Sequence, residues 1–318
     1  MSQVEVEKLY AAKSTNGRSI PDCPAPIRWG FGALERGCPP AAERLAAWMF
    51  CHPVRARLGD EEAAVLDAGH AFRLRALGHD LAAWSWGDGP TVLLHHGWNG
   101  RAGHMTRFVQ PLLDAGFSVV AYDAPAHGDS PGSITSAPEM ARILREVAWR
   151  LVGLHGVVAH SIGCAATLLA VRGGLKLDRA VLLAPPSDLR EFIDIFGDHL
   201  DLSRRTREGM ARRTAEWFGI EWDEMDVEYW AQGARPPVLV VHDRNDDVIP
   251  WVHGERVRAT WGEAQLLTTT GLGHRAVRLD ETVIRNAVMH LVDARESESQ
   301  SAWLSEIGES ATAVRPRR

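Results

Sequence analysis

The chain has no surplus of positive charge. Its 35 Lys and Arg are outnumbered by 41 Asp and Glu, giving a formal net charge of −6 and a pI near 6.2. That balance favours solubility and offers nothing to attract nucleic acid or an anionic membrane surface. Long apolar runs are also lacking. No uncharged stretch reaches the ~18–20 residues of a spanning helix, and Met1 to Tyr10 carries Glu5, Glu7 and Lys8 where a secretory signal would be apolar. Cysteine is scarce: Cys23, Cys38, Cys51 and Cys164 show no C-x-x-C pairing and read as free thiols in a reducing compartment. The expectation from these absences is a cytoplasmic protein with no nucleic-acid or membrane partner. What remains is an ordinary globular composition, 45% hydrophobic and 24% charged over 318 residues, with ample material for a core.

One stretch organises the rest. Val157-Val158-Ala159-His160 is an apolar run that ends abruptly at Ser161, and Ile162-Gly163-Cys164 leads into helix formers from Ala165 to Val171. This predicts a strand, a very tight turn and a helix with Ser161 at the apex. Such a turn pushes the serine out of the sheet and aims the first free N–H groups of the helix at it.

Around it, strand and helix signals alternate. A hairpin is expected over Phe72 to Trp86, turning at Gly78-His79, then the buried strand Thr91 to His95. A helix follows from Gly103 to Leu113, a strand from Phe117 to Tyr122, a helix from about Ala137 to Leu154, and a strand from Ala180 to Ala184. Between Pro185-Pro186 and Pro236-Pro237 no strand-like run occurs, and the segment reads as two or three helices. Strand signals resume at Val238 to His242 and near Gln265 to Thr269, with helices at Trp251 to Thr260 and Glu281 to Val292. This is the pattern of an α/β protein with a mostly parallel central sheet flanked by helices and a helical cap insertion. The expected division is an N-terminal extension over residues 1–70, a domain over 71–293 with the cap at about 187–235, and a tail over 294–318 whose only apolar cluster is Trp303, Leu304 and Ile307. In the extension, Pro39-Pro40 opens a helix running to Phe50, with Leu45, Trp48 and Met49 on one face. Three uses stay open for the extension: covering a sheet edge, adding to the cap, or carrying a homodimer contact.

Serine is a weak nucleophile at neutral pH and needs a base, with an acid to orient that base. In parallel sheets such groups collect past the C-terminal ends of strands. The strand ending at His242 runs into Asp243-Arg244-Asn245-Asp246-Asp247, and the strand near Thr269 runs into Gly271-Leu272-Gly273-His274. His274 is the candidate base. Asp243, Asp246 and Asp247 are rival acids, and spacing does not separate the last two securely.

Four motifs in order make the chain resemble the α/β-hydrolase superfamily, in its broad serine esterase and lipase-like group, over roughly Phe72 to Val292. Ala159-His160-Ser161-Ile162-Gly163 resembles the G-x-S-x-G elbow with alanine for the first glycine. His96-Gly97-Trp98 resembles the His-Gly turn after the third strand, and Asp123 through His127-Gly128 to Ser130 resembles the loop after the fourth. His242 through Asp246 to Pro250 resembles the acid loop H-G-x-x-D-x-x-V-P, with Asp243 in place of its glycine. The resemblance selects Asp246 as the acid and implies an oxyanion hole from the backbone N–H groups of Trp98 and Ile162. It implies hydrolysis of a carboxylic ester or thioester of a small-molecule substrate through an acyl-enzyme, with no cofactor and no metal; the alternatives are other chemistry on the same three residues (C–C bond hydrolysis, acyl transfer or cofactor-free perhydrolysis) and a non-catalytic binding protein on the same fold.

Other features carry two readings. His96 and His160 flank the candidate site and are named as substrate-pocket residues, although His160 also reads as structural. Trp217, Trp222 and Trp230 either line an apolar pocket or pack the cap onto the domain. Arg204, Arg205, Arg207, Arg212 and Arg213 form either an anion site or a solvated helix face. A metal set from His95, His96 and His104 lacks a completing ligand at usual spacing. Gly128-Asp129-Ser130 is set aside as a second serine motif, because no D-x-x-H lies near the C-terminus.

Overall fold

Eight strands form one sheet in the order β1-β2-β4-β3-β5-β6-β7-β8. They are β1 (His70–Ala76), β2 (His79–Trp86), β3 (Thr91–His95), β4 (Ser118–Tyr122), β5 (Leu154–His160), β6 (Arg179–Leu183), β7 (Val238–Asp243) and β8 (Ala264–Thr269). The computed structural model describes residues 23–292 except 152 and 234, so the expectations for the first residues and for the Trp303 cluster lie outside the described residues. The β1–β2 and β2–β4 pairs are antiparallel, and every later pair is parallel. β3 and β7 are buried along their whole length, which is why they read as unbroken apolar runs. Successive residues feed opposite faces: Val157 and Ala159 join the cluster on one side, Val158 the cluster on the other.

The chain passes from β3 to β4 on one side and returns to β5 on the other. The strand order reverses there, and the crevice beyond the C-terminal ends of β3 and β5 is where open α/β sheets place ligands. The helix Ile162–Arg172, following β5, is buried on nearly every turn because it packs on the sheet and on the helix Ala137–Arg150.

Several boundaries differ from those expected. The hairpin turn is Leu77-Gly78, both at positive φ (47° and 84°), the geometry a two-residue turn needs to match strand twist. The helix Ala137–Arg150 is capped by the Ser136 side chain and stops at Arg150. It cannot reach Leu154, because Gly153 is left-handed and Leu154 already pairs with Thr91. The 103–113 helix is a 3₁₀ segment (Ala102–Phe108) followed by one α-turn pair (Val109–Asp114).

Between β6 and β7 stand helices at Glu191–Leu200, Arg204–Phe218 and Val227–Trp230. The two ends of this insertion are tied together: Val227 N–H donates to Ser187 O (2.8 Å), Leu189 N–H to Met225 O (2.8 Å), and Arg190 spans Asp188 and Asp226 at 2.7 Å each. Its long helix is covered by the Pro39–Phe50 helix, through Ala46 and Ala47 against Met210. A further helix, Ala25–Gly37, is masked in the sequence by Pro26, Gly30 and Gly32; it buries Phe31 in the same cluster. Buried Glu43 accepts from Arg212 (3.0 Å) and Arg213 (3.4 Å), Arg207 pairs with Asp198 (2.6 Å), and Arg204 with Glu208 (2.7 Å). Most of the arginine run is therefore engaged with the protein's own carboxylates. No helix among the described residues is long and apolar enough to cross a membrane.

Candidate active site

The turn after β5 is strained as the sequence pattern requires. Ser161 has φ 55° and ψ −126°, a conformation costing about 1–3 kcal/mol for a residue with a side chain. Its N–H donates to Leu183 O at 2.9 Å, which anchors the turn to the neighbouring strand. Two glycines allow the close approach. A Cβ on Gly163 would lie 2.5 Å from His96 O, and one on Gly97 would lie 2.9 Å from the Ser161 Cβ. The His96-Gly97-Trp98 turn is thus pressed against the serine. Ala159, the departure from glycine, is fully buried and its methyl packs in the core opposite His95 on β3.

His274 comes to this serine from the far edge of the sheet. It sits on a single helical turn, Gly273–Ala276, rather than in an extended loop. Its Nε2 lies 3.0 Å from Ser161 Oγ and its Nδ1 lies 2.8 Å from Asp246 Oδ2. The other carboxylate oxygen of Asp246 accepts the N–H groups of Val248 (2.9 Å) and Ile249 (2.8 Å), which fixes the plane of the group. Burial alone would raise the pKa of Asp246, but hydrogen bonds from His242 and His274 hold it below the ordinary carboxylate value. The three rival acids are separated by geometry. Asp243 bonds Thr269 and Leu272 instead, and Asp247 is half-exposed. With Nδ1–H given to Asp246, the other nitrogen of His274 is left as an acceptor for the serine proton.

Ile162 opens the Ile162–Arg172 helix beside Ser161, so its N–H has no partner within the helix. Trp98 and Ile162 are both half-buried there. His96 is buried and structural: Nε2 accepts Ala124 N–H (2.9 Å) and Nδ1–H donates to Gly97 O (2.8 Å), tying the β3 turn to the β4 loop. The hub of that loop is Asp123, which accepts Ala102 N–H (2.6 Å) and Asp129 N–H (2.7 Å). His160 donates from Nε2 to the His274 carbonyl at 2.9 Å, with ring centroids 4.9 Å apart. Burial first, then the neighbouring His274, holds the His160 pKa well below the usual value.

The tryptophans do not act together. Trp230 is wholly buried, bonded to Glu224 O, and offers no surface to a ligand, so the expectation of a pocket lined by it is corrected. Trp222 is half-buried with its indole N–H on Ala211 O (3.0 Å). Trp217 lines an outer groove with Leu45, Trp48 and Ile134. A residue given no role in the sequence is His242, buried behind the acid with Nε2 2.9 Å from Ile249 O and 3.4 Å from Asp246 Oδ2. Its signal was its place at a strand end four residues before the acid. Among the described residues no group of three or more His, Cys, Asp or Glu is placed to hold a metal ion.

The buried histidines carry a stability consequence. Burial pushes His95 down to about 3, His127 to about 4 and His253 to about 3. They stay neutral in the folded protein, whereas an unfolded histidine binds a proton below about pH 6.5. Unfolding then takes up protons, so stability falls as pH drops below that value and goes on falling to about pH 4–3, by about 1.4 kcal/mol per histidine per pH unit. Asp246 adds its own loss at the acid end of this window, from about pH 5 downward, where the unfolded carboxyl begins to protonate while the folded one stays ionised. Thermal unfolding is expected at a clearly lower temperature at pH 5 than at pH 7; equal midpoints would contradict this account.

Comparison with known proteins agrees with the architecture. Residues 92–285 match the alpha/beta hydrolase family, and the chain belongs to that family. A serine hydrolase-like protein of Homo sapiens is 34% identical over 131 residues, covering 36% of this chain and 59% of that protein's length. Among solved structures, an esterase of Pyrococcus furiosus superposes with TM-score 0.57 at 19% identity, over 76% of this chain and 97% of that one. A meta-cleavage product hydrolase of Pseudomonas fluorescens IP01 superposes with TM-score 0.54 at 16% identity, over 70% of this chain and 98% of that one. At these identities the structural likeness speaks for the fold.

Proposed function

We propose that the protein is a serine hydrolase that cleaves a carboxylic ester or thioester of a small to medium acyl substrate. The observation that carries this reading is the unbroken hydrogen-bonded series from Ser161 Oγ through His274 to Asp246, at 3.0 and 2.8 Å. As Oγ attacks the acyl carbonyl, Nε2 of His274 takes its proton, and Asp246 steadies the imidazolium through Nδ1–H. The N–H groups of Ile162 and Trp98 are assigned to the oxyanion. The carbonyl re-forms as the C–O or C–S bond breaks, and His274 returns the proton to the leaving group. Water, deprotonated by the same nitrogen, then attacks the acyl-enzyme and releases the acid and Ser161.

Carbon–carbon bond hydrolysis on the same three residues uses a different leaving group and is the reading to separate from this one; the Pseudomonas neighbour is named a hydrolase of a meta-cleavage product. A panel of p-nitrophenyl esters of graded chain length, with acyl thioesters and a meta-cleavage-type diketone alongside, makes the distinction. Turnover of short or medium esters or thioesters above the rate in buffer is expected. Folded protein that turns over the diketone alone, or no acyl substrate at all, would overturn the proposal.

A further inference from the structure

We propose that Asp243 is a positioning residue: its carboxylate fastens the segment that carries His274 onto the loop that carries Asp246, so that base and acid reach Ser161 as one preset unit. This deepens the triad reading above and rests on it.

Asp243 closes β7 and is fully buried. Its two oxygens face different ways. Oδ1 accepts the N–H of Asn245 (2.9 Å) and shapes the acid loop itself. Oδ2 reaches across to the end of β8, where it accepts the Thr269 hydroxyl (2.7 Å) and the Leu272 N–H (3.1 Å), two residues before His274. Neither bond is open to the glycine that the acid-loop pattern has at this position. The carboxylate stays ionised: burial opposes this, but the donors from Thr269 and the backbone outweigh it and set its pKa below the ordinary value.

The segment it grips needs gripping. Gly271 and Gly273 both adopt positive φ, 87° and 67°, and glycine gives up more conformational freedom on ordering than any other residue. Two further ties act on the same few residues. Asn245 Oδ1 accepts Gly271 N–H (3.0 Å), and Arg244 N–H donates to Thr269 O (2.9 Å), so three successive residues, 243 to 245, bond this one segment. From the opposite side, His160 holds the His274 carbonyl. Misplacing a reacting group by about 1 Å can cost about 100-fold in rate, so a tie this close to the base acts on the chemistry as well as on the fold.

The test uses the full chain and two substitutions. Asp243→Asn keeps the shape but sets an amide N–H₂ against one of the facing donors in either orientation. Thr269→Val keeps the carboxylate and removes one donor. For each, the rate of fluorophosphonate labelling, kcat and KM for the best ester, the pH profile of kcat/KM and the thermal midpoint are measured. Asp243→Asn is expected to slow labelling and kcat by about 10- to 100-fold with KM within about twofold, and to move the apparent pKa of the base in the pH profile. Thr269→Val is expected to slow both by about three- to tenfold, and the double variant to lose less than the product of the two, because both cut the same contact. Folded Asp243→Asn that labels within about twofold of wild type, or that changes KM alone, overturns the proposal. Should Asp243→Asn not fold, Thr269→Val decides: slower labelling supports the proposal and a wild-type rate overturns it. Wild-type protein that does not label sinks the triad reading, and this proposal with it.

Discussion

Ser161→Ala is expected to lower kcat for the best ester by about a million-fold, while leaving the fold intact. The size follows from what is lost. Without Oγ there is no atom to form the acyl-enzyme, and the pair His274 and Asp246 has no proton to take at that position. Only the oxyanion donors and substrate binding remain. The fold should not suffer, because the strain at φ 55° belongs to the backbone turn, and alanine meets the same restraint as serine there. The single side-chain bond removed is the half-buried one to His274 Nε2. Steady-state kinetics with a thermal melt on the same sample checks this. A variant that keeps more than about a tenth of wild-type kcat would mean that another group is the nucleophile.

Asp246→Asn is expected to lower kcat by about 10⁴-fold with little effect on KM. The local bonds dictate how the amide would sit. The position of Oδ1 accepts two backbone N–H groups, from Val248 and Ile249, so the amide oxygen must take it. The NH₂ group then faces Nδ1 of His274, which has to become an acceptor and carry its proton on Nε2 instead. That nitrogen can no longer receive the proton of Ser161, which is 3.0 Å away. Asp247→Asn is the matched control, since its half-exposed side chain lies outside this set of bonds; it is expected to leave kcat within about twofold. Kinetics on the two variants side by side checks the assignment. A larger loss for Asp247→Asn than for Asp246→Asn would reverse it.

Much of this site was legible because its parts are local. An unbroken apolar run, a serine and small residues before a run of helix formers fold as a strand, a tight turn and a helix, and Ser161 sits at the apex. The order of serine, acid and histidine follows from strand ends, which apolar runs mark well. Four features were not legible in this way. Asp246 and Asp247 are adjacent, and what separates them is which one turns its oxygens onto the N–H groups of Val248 and Ile249. Trp230 looks like Trp217 in sequence, yet one is wholly buried and the other is 38% exposed, because the insertion closes on itself at Asp188 and Asp226. The helix Ala25–Gly37 runs through Pro26, Gly30 and Gly32, which read as loop residues, and it buries little besides Phe31 while Ile27 and Trp29 stay exposed. Asp243, a rival acid in the sequence, is buried and bonded to Thr269 instead of His274, a distinction set by a strand that ends 26 residues later.

The central claim is that Ser161 is an activated nucleophile. The most direct measurement is peptide mapping by mass spectrometry after brief exposure of the folded wild-type protein to a fluorophosphonate probe. The account predicts a single adduct on Ser161, absent from protein unfolded before exposure. A folded protein that takes up no probe, or that carries it on another residue while Ser161 stays unmodified, would contradict it.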